Sequence, residues 1–192
     1  MLRHIFISEV RINILKLLLP RPDEQQHIRA IVRSVGAEIN AVRRELSRLE
    51  KIGLLSRRKS SNRVYYRVNT DHIYYTELLS MMAKDCGLGK EIIDSARQLG
   101  DVRFAMLAIP FLRGRDSTVL DVDLFVVGQP DSALLKSIVQ KAEEALQKEI
   151  NYSVMSLEEF NYRKRSNDQF INHVLSQGRT MLIGDEEKFS SY

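Results

Sequence analysis

Between Glu38 and Ile52 the apolar positions Ile39, Val42, Leu46 and Leu49 recur at spacings of three, four and three, one stripe of a 3.6-residue helix. Asn40, Arg43, Arg44, Ser47, Arg48 and Lys51 fill its other faces. The same periodicity predicts a helix from Ser8, as N-cap, to about Leu19, with Val10, Ile14, Leu17 and Leu18 inward and Pro20 and Pro22 ending it. A helix from about Glu24 to Ser34 turns Ile28, Ile31, Val32 and Val35 inward. Val35-Gly36-Ala37 then makes a tight turn, in which glycine takes the left-handed angle that ends a helix. After Gly53, the β-prone stretches Leu54–Arg58 and Arg63–Val68 flank the polar tetrad Lys59-Ser60-Ser61-Asn62, which predicts a hairpin.

Residues 71–100 read as a helical connector, with helices over Tyr74–Lys84 and Lys90–Leu99 broken around Gly87-Leu88-Gly89. Ile73, Leu78, Leu79 and Met82 supply an apolar edge for packing on the preceding helices, with some left over. From Val102 the pattern alternates strand and helix. Strands are expected over Arg103–Ile109, Val119–Val127, Ile150–Met155 and Thr180–Ile183, and helices over Ser132–Lys148, Leu157–Arg163 and Phe170–Gln177. That alternation argues for a sheet covered by helices. The chain therefore reads as a two-domain α/β (α+β) protein, with domains over 1–70 and 101–192.

Composition adds limits. A 44% hydrophobic and 28% charged share is that of a globular protein with a real core. Cys86 is the only cysteine, which excludes an intramolecular disulfide and a cysteine-built zinc site. The apolar run Ile12–Leu19 is interrupted by Asn13 and Lys16 and is too short to span a bilayer, and its flanks do not resemble a signal peptide. No membrane association and a cytoplasmic location are the expectation.

Charge changes the picture more. The net +4 divides into +8 over residues 1–75, with 15 Lys/Arg against 7 Asp/Glu, and −4 over the remainder, with 14 against 18. Clustered cations that release counterions drive phosphate binding, so the first half is the candidate nucleic-acid face. Two helices joined by a short glycine-containing turn form the helix-turn-helix pattern, and a basic hairpin directly after it is a wing. Residue type assigns Asn40, Arg43 and Arg44 to base edges. Ser47, Arg48 and the hairpin residues Arg57, Arg58, Lys59 and Arg63 fall to phosphates.

On these residues, and on the segment LSRLEKIGLLSRRKSSNRVYYRV, positions 8–68 resemble winged helix-turn-helix regulators of the arsenical-resistance-repressor type. The resemblance implies double-stranded DNA as partner and a homodimer paired through helices such as those after the wing. Metal-sensing members use cysteine or histidine clusters; here His4, His27, His72 and His173 are scattered.

In the second half, Asp121-Val122-Asp123 leads into LFVVG. On a strand, alternate residues share a face, so the two carboxylates would project together and repel unless a cation such as Mg²⁺ sat between them. With Arg113-Gly114 before it and the tail segments INYSVMSLEEFNYRKR and GRTMLIGDEEKF, this stretch resembles minimal nucleotidyltransferases of the DNA polymerase β superfamily over residues 100–189. The resemblance implies Asp121 and Asp123 as metal ligands. Active members carry Gly-Ser where this chain has Ile109 and Pro110, a serine where it has Leu120, and a third carboxylate where Asn151, Tyr152, Ser153 and Val154 offer none; Glu149 stands nearby. Such a site reads as degenerate, with no catalytic residue assigned and Asp121 and Asp123 either relics or still ligands of Mg²⁺. The expected function is a DNA-binding transcriptional regulator whose second domain senses a nucleotide or protein effector or serves assembly. The alternative is an active Mg²⁺-dependent nucleotidyltransferase with the winged helix as its regulatory module.

Overall fold

Ser8 opens the first helix, α1 (Glu9–Leu18), its hydroxyl accepting from the Arg11 N–H. The buried stripe is Ile12, Ile14, Leu15 and Leu18, whereas Val10 and Leu17, expected inward, are only partly buried. The computed structural model describes residues 2–118 and 121–191, and the chain divides into two compact units, Met1–Asp85 and Cys86–Tyr192.

In the first unit, residues 24–27 are not helical as the periodicity suggested. Gln26–His27 form a short strand, β1, antiparallel to the third strand of the sheet, and helix α2 runs over Ile28–Val35. His27 caps it, Nδ1 accepting from the Ala30 N–H, a role open to an imidazole but hidden from a count of apolar spacings. Gly36 (φ 67°) ends α2. Helix α3 (Ile39–Lys51) follows and buries Val42, Leu46 and Leu49. The hairpin consists of β2 (Leu55–Ser60) and β3 (Arg63–Val68), joined by Ser61 and Asn62, and the sheet order is β1-β3-β2. Helix α4 (Tyr75–Asp85) completes the unit; Tyr75, Leu79 and Met82 are buried, while Ile73 just before it is 77% exposed.

The second unit begins with α5 (Gly87–Asp94). The expected break is present but falls at Cys86, so Gly87-Leu88-Gly89 opens the second helix, and the unit boundary falls within the segment read as a connector. Strand β4 (Gly100–Ala108) gives way to the four-residue α6 (Ile109–Leu112), which removes Ile109 from the strand predicted to hold it. Next come β5 (Leu124–Pro130), α7 (Ser132–Leu146), β6 (Tyr152–Met155), α8 (Leu157–Arg165), α9 (Gln169–Ser176), β7 (Arg179–Ile183) and α10 (Glu186–Ser190). The sheet is mixed, in order β6-β5-β4-β7, with β5 and β6 parallel and the other pairs antiparallel. One face packs under α5 and α7 around Leu88, Ile92, Leu135 and Ile138; the other carries an aromatic cluster of Phe125, Phe160 and Phe189. Helices with an antiparallel and a mixed sheet make the chain α+β. Among the described residues no helix is long and apolar enough to cross a membrane.

Candidate functional site

Glu38 sets the start of α3. Its carboxylate accepts from the backbone N–H groups of Asn40 (2.8 Å) and Ala41 (3.0 Å). Those two bonds, reinforced by Arg44 and Arg43, hold its carboxyl below the ordinary value. With the apolar stripe turned inward, Asn40, Arg43, Arg44, Ser47 and Lys51 are exposed. Lys51 is a cation that residue type alone did not assign to DNA, although it lies four residues beyond Ser47 and seven beyond Arg44, on the same face.

The hairpin adds charge. Strand β2 is exposed from Ser56 to Ser60, and Arg57, Arg58, Lys59 and Arg63 are all solvated. Tyr66 pairs across the strands with Arg57 and is 6% exposed. Burial pushes its phenol upward and the charge of Glu50 on α3 adds to this, while the nearby Arg57 and Arg43 oppose. Tyr66 thus sits between the two basic elements, a position its sequence neighbours do not reveal.

Arg48 behaves differently from its neighbours. Nη1 contacts the carboxylate of Glu45 at 2.8 Å, and Glu45 in turn receives Nε of Arg11 from α1 at 2.7 Å. Glu45 is only 6% exposed. Burial pushes its carboxyl up, but the Arg11 hydrogen bond and charge, with Ser8 and Arg48, outweigh that and leave it below its ordinary value. Sequence pattern missed this buried acid, since glutamate on a basic helix reads as solvated surface; the Glu45–Arg48 spacing of three was the one available signal.

In the second unit, Asp121 and Asp123 are not on a strand. β5 starts at Leu124, so the alternation expected to aim the two carboxylates together does not apply to them. The predicted strand residue Val119 and the serine-replacing Leu120 lie outside the described residues. Asp121 accepts from the backbone N–H (2.7 Å) and hydroxyl (2.9 Å) of Thr118, with Nε2 of His173 at 4.0 Å. The Thr118 bonds, then His173, draw its carboxyl below the ordinary value against a small burial effect. Asp123 is 2% exposed and is held by the Ser117 hydroxyl (2.5 Å) and the Asn151 N–H (2.9 Å). The residue beside it where β6 begins is Asn151, whose side chain donates to the Thr118 carbonyl at 2.8 Å. Glu149 is exposed. Ile109 is buried, and its N–H is spent on the Gly178 carbonyl at 2.8 Å. Lys148 reaches back to the Arg115 carbonyl and lies 3.6 Å from Asp116.

Among the described residues, no group of three or more His, Cys, Asp or Glu side chains gathers as a metal site. The first unit instead offers a cationic, hydrogen-bonding helix face and a cationic hairpin, a combination suited to nucleic acid. Comparison of the chain with protein families, with curated proteins and with solved structures found no match.

Proposed function

We propose that this chain is a DNA-binding transcriptional regulator, acting in the cytoplasm, in which a winged helix-turn-helix reads duplex DNA. The observation that carries this reading is the joint exposure, within one unit, of Asn40, Arg43, Arg44, Ser47 and Lys51 on α3 and of four cations on the β2–β3 hairpin. A helix so equipped fits the major groove, where arginine pairs bidentately with guanine and asparagine with adenine. Asn40, Arg43 and Arg44 read bases; Ser47, Lys51, Arg57, Arg58, Lys59 and Arg63 hold phosphates and set register. Arg48 is the weakest of the phosphate contacts, because Nη1 of its guanidinium is shared with Glu45. Binding as a two-fold homodimer would place two α3 helices about one DNA turn apart. The exposed apolar residues Ile73 and Tyr74 just before α4 support pairing there.

The second unit, in this proposal, is a nucleotidyltransferase-like fold that serves sensing or assembly. Supporting the likeness are the mixed sheet and the order strand, short helix, aspartate pair, strand over residues 100–130. Against catalysis stand the buried Ile109 with its committed N–H, the enclosed Asp123, and Asn151 where an acid is needed. Two-metal phosphoryl transfer requires both ions and a positioned triphosphate.

Duplexes selected from a random pool by the whole protein test the DNA reading. Arg43→Ala with Arg44→Ala should remove the preference for selected over random duplex. Arg58→Ala should weaken both alike and lower the salt slope by about one. If the double variant weakens selected and random DNA equally, α3 does not read bases.

A further inference from the structure

The first unit contains a cavity that the DNA reading does not use. It measures about 400 Å³ and is walled by Phe6, Leu15, Leu49, Leu54, Tyr74 and Leu78. That lies toward the small end of ligand pockets, roughly 300–1,000 Å³, which are mostly apolar with a few polar groups placed to orient what they hold. The polar groups here are Arg11, Arg48 and His72.

His72 is committed. Its Nδ1 accepts the Tyr74 N–H at 3.2 Å, and Nε2 lies 3.1 Å from the Ile52 carbonyl. This pattern requires the tautomer protonated at Nε2 and ties the wall before α4 to the end of α3. The arginines are only half committed. Arg11 uses Nε and Arg48 uses Nη1 on the shared carboxylate of Glu45. Each guanidinium keeps two nitrogens without a partner among the described residues. Two cations against one carboxylate leave one positive charge in excess beside an apolar recess.

From this geometry we propose that the cavity is a binding site for a small apolar carboxylate, an aliphatic or aromatic acid whose hydrocarbon part fills the recess. Its carboxylate takes the spare N–H groups of Arg11 and Arg48. An arginine fork matches a carboxylate bidentately, and each N–H retains direction because Glu45 holds both guanidinium groups in place. A phosphate monoester, with nearly twice the charge, would exceed what one excess cation balances, and a neutral lipid would leave the arginines unused. The site stands whether or not α3 reads DNA, because its ligand is detected directly.

Calorimetric titration of the full chain with sodium octanoate tests it, with 1-octanol as the uncharged control. Saturable one-to-one binding of octanoate is expected, about tenfold tighter than octanol, the worth of a charge-assisted hydrogen bond. Arg48→Gln should bring octanoate to the level of octanol while leaving octanol itself within twofold. Leu78→Trp, which fills the recess, should remove both. Ile52→Glu, at a wall position 59% exposed and so without cost to the core, repeats the block should Leu78→Trp unfold. No saturable heat, equal affinity for octanoate and octanol, or undiminished binding by the folded blocking variant each overturns the proposal. So does sedimentation showing a dimer that Leu78→Trp splits and octanoate leaves intact, which would give the recess to a second copy of the chain.

Discussion

Gly128 has no substitute in its place. Its φ of 141° lies where side chains rarely go, and a Cβ would fall inside van der Waals distance of the Asp101 carbonyl and 2.9 Å from Val102 Cα. It lies where the β4–β5 ladder shifts register between Val102 and Phe104, a bulge that lets the two backbones approach. Gly128→Ala should cost about 3 kcal/mol through backbone strain and overpacking. The urea midpoint measures this, and an unchanged midpoint would show that the bulge yields. Lys164 is a second residue whose place depends on neighbours far along the chain. It is 4% exposed, and its ammonium donates to the carbonyls of Phe189 at 2.6 Å and Ser191 at 2.5 Å. Burial, then the charge of Arg179, pushes its ammonium pKa down. The interaction anchors α10 beside the aromatic cluster, where Phe189 stacks on Phe160 with ring centroids 5.2 Å apart.

Between elements, α1 and α4 are joined by Lys16 and Asp85, whose Nζ and Oδ2 are 2.8 Å apart. Burial raises the Asp85 carboxyl, but the Lys16 ammonium and the Leu2 N–H outweigh it and bring the pKa from 3.8 down to about 2. A carboxyl depressed on folding contributes stability that is complete above its unfolded pKa and disappears as pH falls through the folded one. The tie should therefore contribute on the order of 1–2 kcal/mol at neutral pH and lose it between about pH 4 and pH 2. Lys16→Met should lower stability at pH 7 and flatten the acid limb of the stability curve. A variant that follows the parent from pH 7 to pH 2 would rule the tie out as a stabilising contact.

At the scale of the whole chain, charge and chemistry are divided between the units. Residues 1–85 hold an excess of seven positive charges, and the rest an excess of three negative ones. If the proposed division of labour holds, labelled nucleoside triphosphates incubated with Mg²⁺ and the protein, alone or with cell extract, should leave no label on any acceptor. Transfer that Asp123→Ala abolishes would make the second unit an enzyme and reverse half of the proposed function.

Most of the helices and strands were legible from spacing because one buried face imposes a period of 3.6 or 2 on any sequence that covers it. Helix α3, its inward stripe, the β2–β3 hairpin and the charge that surrounds them all follow from such local rules. The rest depended on partners remote in sequence. Gln26–His27 became a strand because β3 lies beside it. Glu45 went inside because Arg11, 34 residues away, neutralises it. Asp121 and Asp123 fell outside β5 and were claimed by separate partners, Thr118 for one and Ser117 with Asn151 for the other. Burial of a polar or charged group is favourable only when its complement arrives. Periodicity encodes which residues seek an interior, whereas the tertiary fold alone supplies the complements that let polar ones join them.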